Sequence, residues 1–71
     1  MEEISITTTT IQLDQFLKWV GIIETGGQVK LLIEDGLILI NDVQVHERRK
    51  KIQPGDVVEI KDVGKWKVTT E

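Results

Sequence analysis

The hydrophobic positions change rhythm along the chain. Ile4 and Ile6 alternate with polar neighbours and lead into the β-branched stretch Thr7-Thr8-Thr9-Thr10, which predicts a short edge strand over residues 3–7. The spacing then turns helical. Leu13, Phe16, Leu17 and Val20 recur three and four residues apart, predicting a helix over about 10–20 that Gly21 is placed to end. Thr9 and Gln12 form a candidate capping box for it, while Lys18 faces away from the apolar stripe and Trp19 lies on its flank. Thr25-Gly26-Gly27-Gln28 has the spacing of a second capping box. The helix it opens buries Val29, Leu32 and Ile33, and Gly36 is expected in the left-handed conformation at its end. Leu31 lies off that stripe, toward the preceding loop or a partner.

After Gly36 the period becomes that of strands. Leu37 to Ile40 reads as one strand, Asn41-Asp42 as a two-residue turn, and Val43 and Val45 as the inward positions of the returning strand. Pro54-Gly55-Asp56 turns the chain into Val57-Val58-Glu59-Ile60, and Asp62-Val63-Gly64 turns it again into a last strand over 65–70. This order predicts an α+β fold, two short helices packed on a small, mostly antiparallel sheet.

Length and composition narrow the class. With 71 residues, 39% of them hydrophobic and 30% charged, the chain is expected to form one cooperative domain over residues 1–71. It has no Cys and one His, so neither a disulfide framework nor a common zinc site is available, and no cofactor or metal is expected. The longest purely apolar run, Leu37 to Ile40, is far shorter than a membrane span, and the order of a signal peptide is missing, so a cytoplasmic location with no membrane partner is expected.

Charge distribution changes the picture more than total charge does. The net charge is −3, yet Arg48-Arg49-Lys50-Lys51 is an unbroken basic run, and the remainder is more acidic still. Such a run is either a solvated loop or a patch that docks a polyanion in one orientation while the acidic faces are repelled. The start of the second helix admits two readings as well. Thr25 simply caps it, or Gly26 and Gly27 leave its free first-turn amides open to an anion. No nucleophile, base and orienting group stand at suggestive positions, so catalysis is not expected. Trp19 and Trp66 are expected to fill edges of a small core rather than to hold a base, and His46 is left outside the site.

Taken in order, Leu13-Asp14, Phe16-Leu17-Lys18, Thr25-Gly26-Gly27, Lys30, Leu32-Ile33, Gly36, Ile38, Ile40-Asn41, Arg48-Arg49 and Pro54-Gly55-Asp56-Val57 resemble the S4-like RNA-binding domain, also called the αL motif, with a motif core over about 11–60. The chain looks similar to the short stand-alone bacterial branch of that family, whose members are associated with ribosomes or ribosome assembly. A monomer is expected, and the resemblance implies binding to structured RNA, ribosomal RNA in particular, on a ribosomal subunit or assembly particle. It also implies an RNA-facing surface made of Lys18, Thr25, Gly26, Gly27, Gln28, Lys30, Asn41, Arg48, Arg49, Lys50 and Lys51. Many members have Arg before Leu-Asp, Ser-Arg at the start of the second helix, a small residue at the Val29 position and Asn-Gly at the turn. Here Gln12, Thr25-Gly26-Gly27, Val29 and Asn41-Asp42 stand instead, which removes two phosphate ligands and adds the charge of Asp42. The competing expectation is a small adaptor, such as a ubiquitin-like sheet domain, whose Leu31 and basic edge dock an acidic protein. The diglycine end of carrier proteins of that kind is absent from Thr69-Thr70-Glu71.

Overall fold

A computed structural model describes residues 1–70. The chain runs through β1 (Glu2–Ile6), β2 (Ile11–Gln12), α1 (Leu13–Val20), α2 (Gly26–Glu34), β3 (Ile38–Ile40), β4 (Val43–Gln44), β5 (Lys51–Ile52), β6 (Val57–Ile60) and β7 (Gly64–Thr70). Strands β1-β7-β6-β3-β4 form one sheet, antiparallel throughout except for the parallel β1–β7 pair, and β2 pairs with β5 in a separate two-stranded ladder. This is the predicted α+β architecture, with β1 as the expected edge strand.

Both helix ends follow from glycine. Gly21 adopts φ 91° and Gly36 φ 68°. In each case the next residue reaches back, Ile22 N–H to the Leu17 carbonyl and Leu37 N–H to the Leu32 carbonyl, both at 3.0 Å, which satisfies carbonyls the helix leaves orphaned. The turn residues Asn41 and Asp42 sit at φ 51° and 68°, the two left-handed conformations that let a two-residue hairpin follow the twist of its strands.

The core lies between α1 and the sheet. Leu13, Phe16 and Leu17 of α1 and Val29 of α2 are fully buried with Ile38, Ile52, Val58 and Val68, and Trp66 closes one edge. Each large side chain taken out of water contributes about 1.5–3 kcal/mol. Leu32 and Ile33 are only half-buried, so α2 rides at the margin of this core.

Two local expectations are corrected. The first helix starts at Leu13 rather than near residue 10, and Gln12 precedes it without a side-chain cap bond, so the Thr9–Gln12 capping box does not form. Ile11 and Gln12 instead pair with Ile52 and Lys51, an extended conformation incompatible with a helical first turn. Val43 has the predicted register, opposite Ile40, but is 69% exposed, because it sits beside the turn on an edge strand that nothing covers. Val45 is buried as expected.

The Pro54-Gly55-Asp56 turn is tied to the hairpin by one network. Asp56 accepts from the Gln53 N–H and from Asn41 Nδ2, both at 3.0 Å, and Asn41 Oδ1 accepts from the Val57 N–H at 2.9 Å. Asp56→Ala should therefore lower stability by about 1–2 kcal/mol in chemical denaturation. A loss within error of zero would show that the network does not hold the turn.

Candidate nucleic-acid interface

The basic run begins as a turn and ends in a strand. Arg48 and Arg49 occupy the middle of a turn closed by the Lys50 N–H on the Glu47 carbonyl at 3.3 Å, and Lys51 enters β5. Its backbone is fixed from the other side. The Leu13 and Asp14 N–H groups, first in α1, donate to the carbonyls of Lys50 at 2.8 Å and Arg48 at 3.1 Å. Two orphan amides of a helix start are thus satisfied by the backbone of a distant turn rather than by a local side chain. With the main chain held inward, the side chains of Arg48, Arg49, Lys50 and Lys51 are all exposed.

The start of α2 lies against the same turn. A Cβ added at Gly26 would stand 3.9 Å from Arg48 Nη1, and Arg48 lines a cleft of about 450 Å³ with Lys30, Ile33, Glu34 and His46. Gly26, Lys30 and Glu34 recur every four residues, so Arg48 lies along one face of α2. The predicted capping box of Thr25 and Gln28 is in place, with Gln28 Oε1 accepting from the Thr25 N–H at 3.1 Å. The N–H groups of Gly26 and Gly27 donate to no protein group among the described residues.

None of these basic side chains is in an ion pair among the described residues, although Glu34 lines the Arg48 cleft and Glu47 and Asp56 line the groove of Lys50 and Lys51. The one ion pair among the described residues joins Lys65 to Glu59 at 3.7 Å on the outer face of the sheet, where Lys67 stands opposite Glu3. No acidic residue lies in the first turn of α2. A guanidinium beside the positive end of a helix has the wrong sign for stabilising that helix, and the right sign for attracting an anion to both.

The expected site residues therefore divide. Gly26, Lys30 and Arg48 are brought together, with Thr25, Gly27 and Gln28 at the same helix start. Lys50, Lys51 and Asn41 line a second, larger groove of about 680 Å³ with Thr10, His46 and Asp56, in which the Asn41 carboxamide is already committed to Asp56 and Val57. Lys18 and Arg49 are exposed but line neither groove. His46, left out of the expected site, lines both, and its place just before the basic run was the signal available for it. Trp66 is buried at a core edge as expected, but Trp19 is 66% exposed and fills none.

The fold is thus a small α+β module that presents a pinned cationic turn beside an open helix start. The chain belongs to the S4 domain family, whose model matches residues 4–69. It is 42% identical over 65 residues to the "Probable ribosome maturation protein RlbA" of Bacillus subtilis (strain 168), covering 92% of each chain. It is also 32% identical over 57 residues to the small ribosomal subunit protein uS4 of Kosmotoga olearia, an alignment that takes in 80% of this chain and 27% of that protein.

The open helix start can be tested by filling it. A Cβ at Gly27 meets only Thr25 Oγ1, at 3.9 Å, so Gly27→Ala should fold at least as well as the parent and gain about 0.5 kcal/mol. Because a helical Cβ leans toward the N-terminus, the same change should crowd an anion there and weaken RNA binding severalfold in a filter-binding assay. Undiminished binding would remove the helix start from the interface.

Proposed function

We propose that this protein binds structured RNA, ribosomal RNA in particular, without catalysing a reaction, and does so in ribosome assembly or in association with the ribosome. The observation that carries this reading is the Arg48 turn, which is in no ion pair among the described residues, is fixed by backbone bonds to the start of α1, and brings the Arg48 guanidinium close to Gly26 at the start of α2. The similarity to a protein named for ribosome maturation, along nearly the full length of both chains, supports the ribosomal setting.

In this reading Arg48 and Arg49 offer planar forks to phosphate, Lys30, Lys50 and Lys51 act as point charges, and the glycine amides complete an anion-binding concavity. A small surface of fixed donors suits the phosphates and 2′-hydroxyls of A-form RNA better than an element inserted into its deep groove. The acidic remainder of the chain restricts the approach to one orientation.

The adaptor reading, in which an acidic protein docks on this edge, draws on Leu31, 61% exposed on α2. Competition separates the two, since bulk RNA displaces an RNA ligand and acidic peptides displace a protein partner. Salt dependence gives the sharper test. Arg48→Ala should weaken binding to ribosomal RNA and reduce the slope of log affinity against log salt by roughly 0.7–0.9. Lys67→Ala, on the outer sheet face opposite Glu3, should leave the slope unchanged. Equal slopes for Arg48→Ala and the parent would overturn the assignment of Arg48.

A further inference from the structure

Trp19 is the exposed aromatic side chain that neither the core nor the cationic surface uses. Indoles left 66% exposed are uncommon, because they carry a large apolar area and a donor that usually finds a partner. Here Trp19 forms one wall of a cleft of about 360 Å³, lined further by Ile6, Ile11, Gln12, Gln15 and the threonines Thr7, Thr8 and Thr10. No charged residue lines it, in a chain where charged residues make up 30%. The carboxamides of Gln12 and Gln15 have no hydrogen-bond partner among the described residues, so each presents a free donor and a free acceptor beside an apolar wall.

The cleft continues into the cationic surface. Thr10 lines both this cleft and the groove that holds Lys50 and Lys51, and Gln12 pairs directly with Lys51 across the β2–β5 ladder. A group in the cleft and a phosphate on Lys51 would thus be separated by about one strand spacing, near 5 Å, plus side-chain reach. An aromatic wall, neutral lining and unspent amides fit the flat face and polar edge of a nucleobase.

We propose that the Trp19 cleft takes an unstacked base of the bound RNA, its ring against the indole and its edge hydrogen-bonded by Gln12 and Gln15, while the adjoining phosphate rests on Lys50 and Lys51. This rests on the RNA-binding reading and adds to it a means of distinguishing RNA with an unpaired nucleotide from a continuous duplex. The cleft is separate from the Arg48 surface, so the two can be disabled independently.

The experiment uses two RNA hairpins, alike except that one carries an unpaired adenine beside its stem, titrated into the full chain while tryptophan emission and affinity are followed. Trp66 is 6% exposed and supplies a constant background. The bulged hairpin should bind more tightly and quench Trp19. Trp19→Ala should abolish the preference with a loss of roughly five- to a hundredfold and leave the salt slope unaltered, and Trp19→Phe should retain most of the affinity. Circular dichroism melts check that both variants fold. If Trp19→Ala binds both hairpins like the parent while Arg48→Ala weakens both, the cleft proposal falls and the RNA reading stands. If the parent binds neither hairpin nor ribosomal RNA, both fall together. If Trp19→Ala keeps its RNA affinity but leaves ribosomal particles, the cleft contacts protein and the proposal is overturned.

Discussion

Two backbone hydrogen bonds hold this molecule's chemistry in place: Leu13 N–H to the Lys50 carbonyl and Asp14 N–H to the Arg48 carbonyl. Each contributes only about 1 kcal/mol to stability, but leaving the buried partners unpaired would cost more. They satisfy the start of α1 and, in the same act, immobilise the turn that carries the arginines. Beside them the β2–β5 ladder extends the attachment through Gln12 and Lys51, and Ile52 anchors it in the core. The cationic segment is therefore part of the framework on its main-chain side and free only in its side chains. Long cationic side chains on a fixed backbone give up less freedom on meeting a ligand than they would on a mobile loop.

Electrostatics and stability pull in opposite directions at this surface. Arg48 stands beside the positive end of α2, while Glu34, at the last position of that helix, and Asp35 beyond it carry negative charge at the opposite end, with no basic residue in the last turn. Both placements are unfavourable to the helix dipole. The sheet's outer face follows the other rule, with Lys65 beside Glu59 and Lys67 opposite Glu3. The basic turn, by contrast, forms no ion pair among the described residues, even though Glu34 lines the cleft that holds Arg48 and Lys30. An anion held there would relieve the repulsion that the free protein tolerates.

Much of this was legible in the sequence, because the relevant signals are local. The glycines ending both helices, the Gln28 cap, the Asn41-Asp42 turn and the Asp56 turn each depend on residues a few positions apart, and all are found in place. The short pairing of Ile11 and Gln12 was hidden, since its partner lies far along the chain and Thr9 with Gln12 happens to imitate a cap. For the same reason the sequence indicated that the basic run would stay wet without indicating that its backbone closes the start of α1. Val43 shows a further limit, because periodicity gives the face of a strand and not whether another element reaches far enough to cover it. Trp19 failed similarly, being on the flank of an eight-residue helix whose buried side is filled by Leu13, Phe16 and Leu17.

The central claim is that the pinned basic turn is the RNA-binding edge of this S4 domain protein. Ultraviolet crosslinking in the native cell, with sequencing of the bound RNA, tests it most directly when the parent is compared with a variant carrying Ala at Arg48, Arg49, Lys50 and Lys51. The account predicts enrichment of a defined ribosomal RNA region with the parent and its loss with the variant at equal protein level. The same enrichment in both, or none in either, would contradict it.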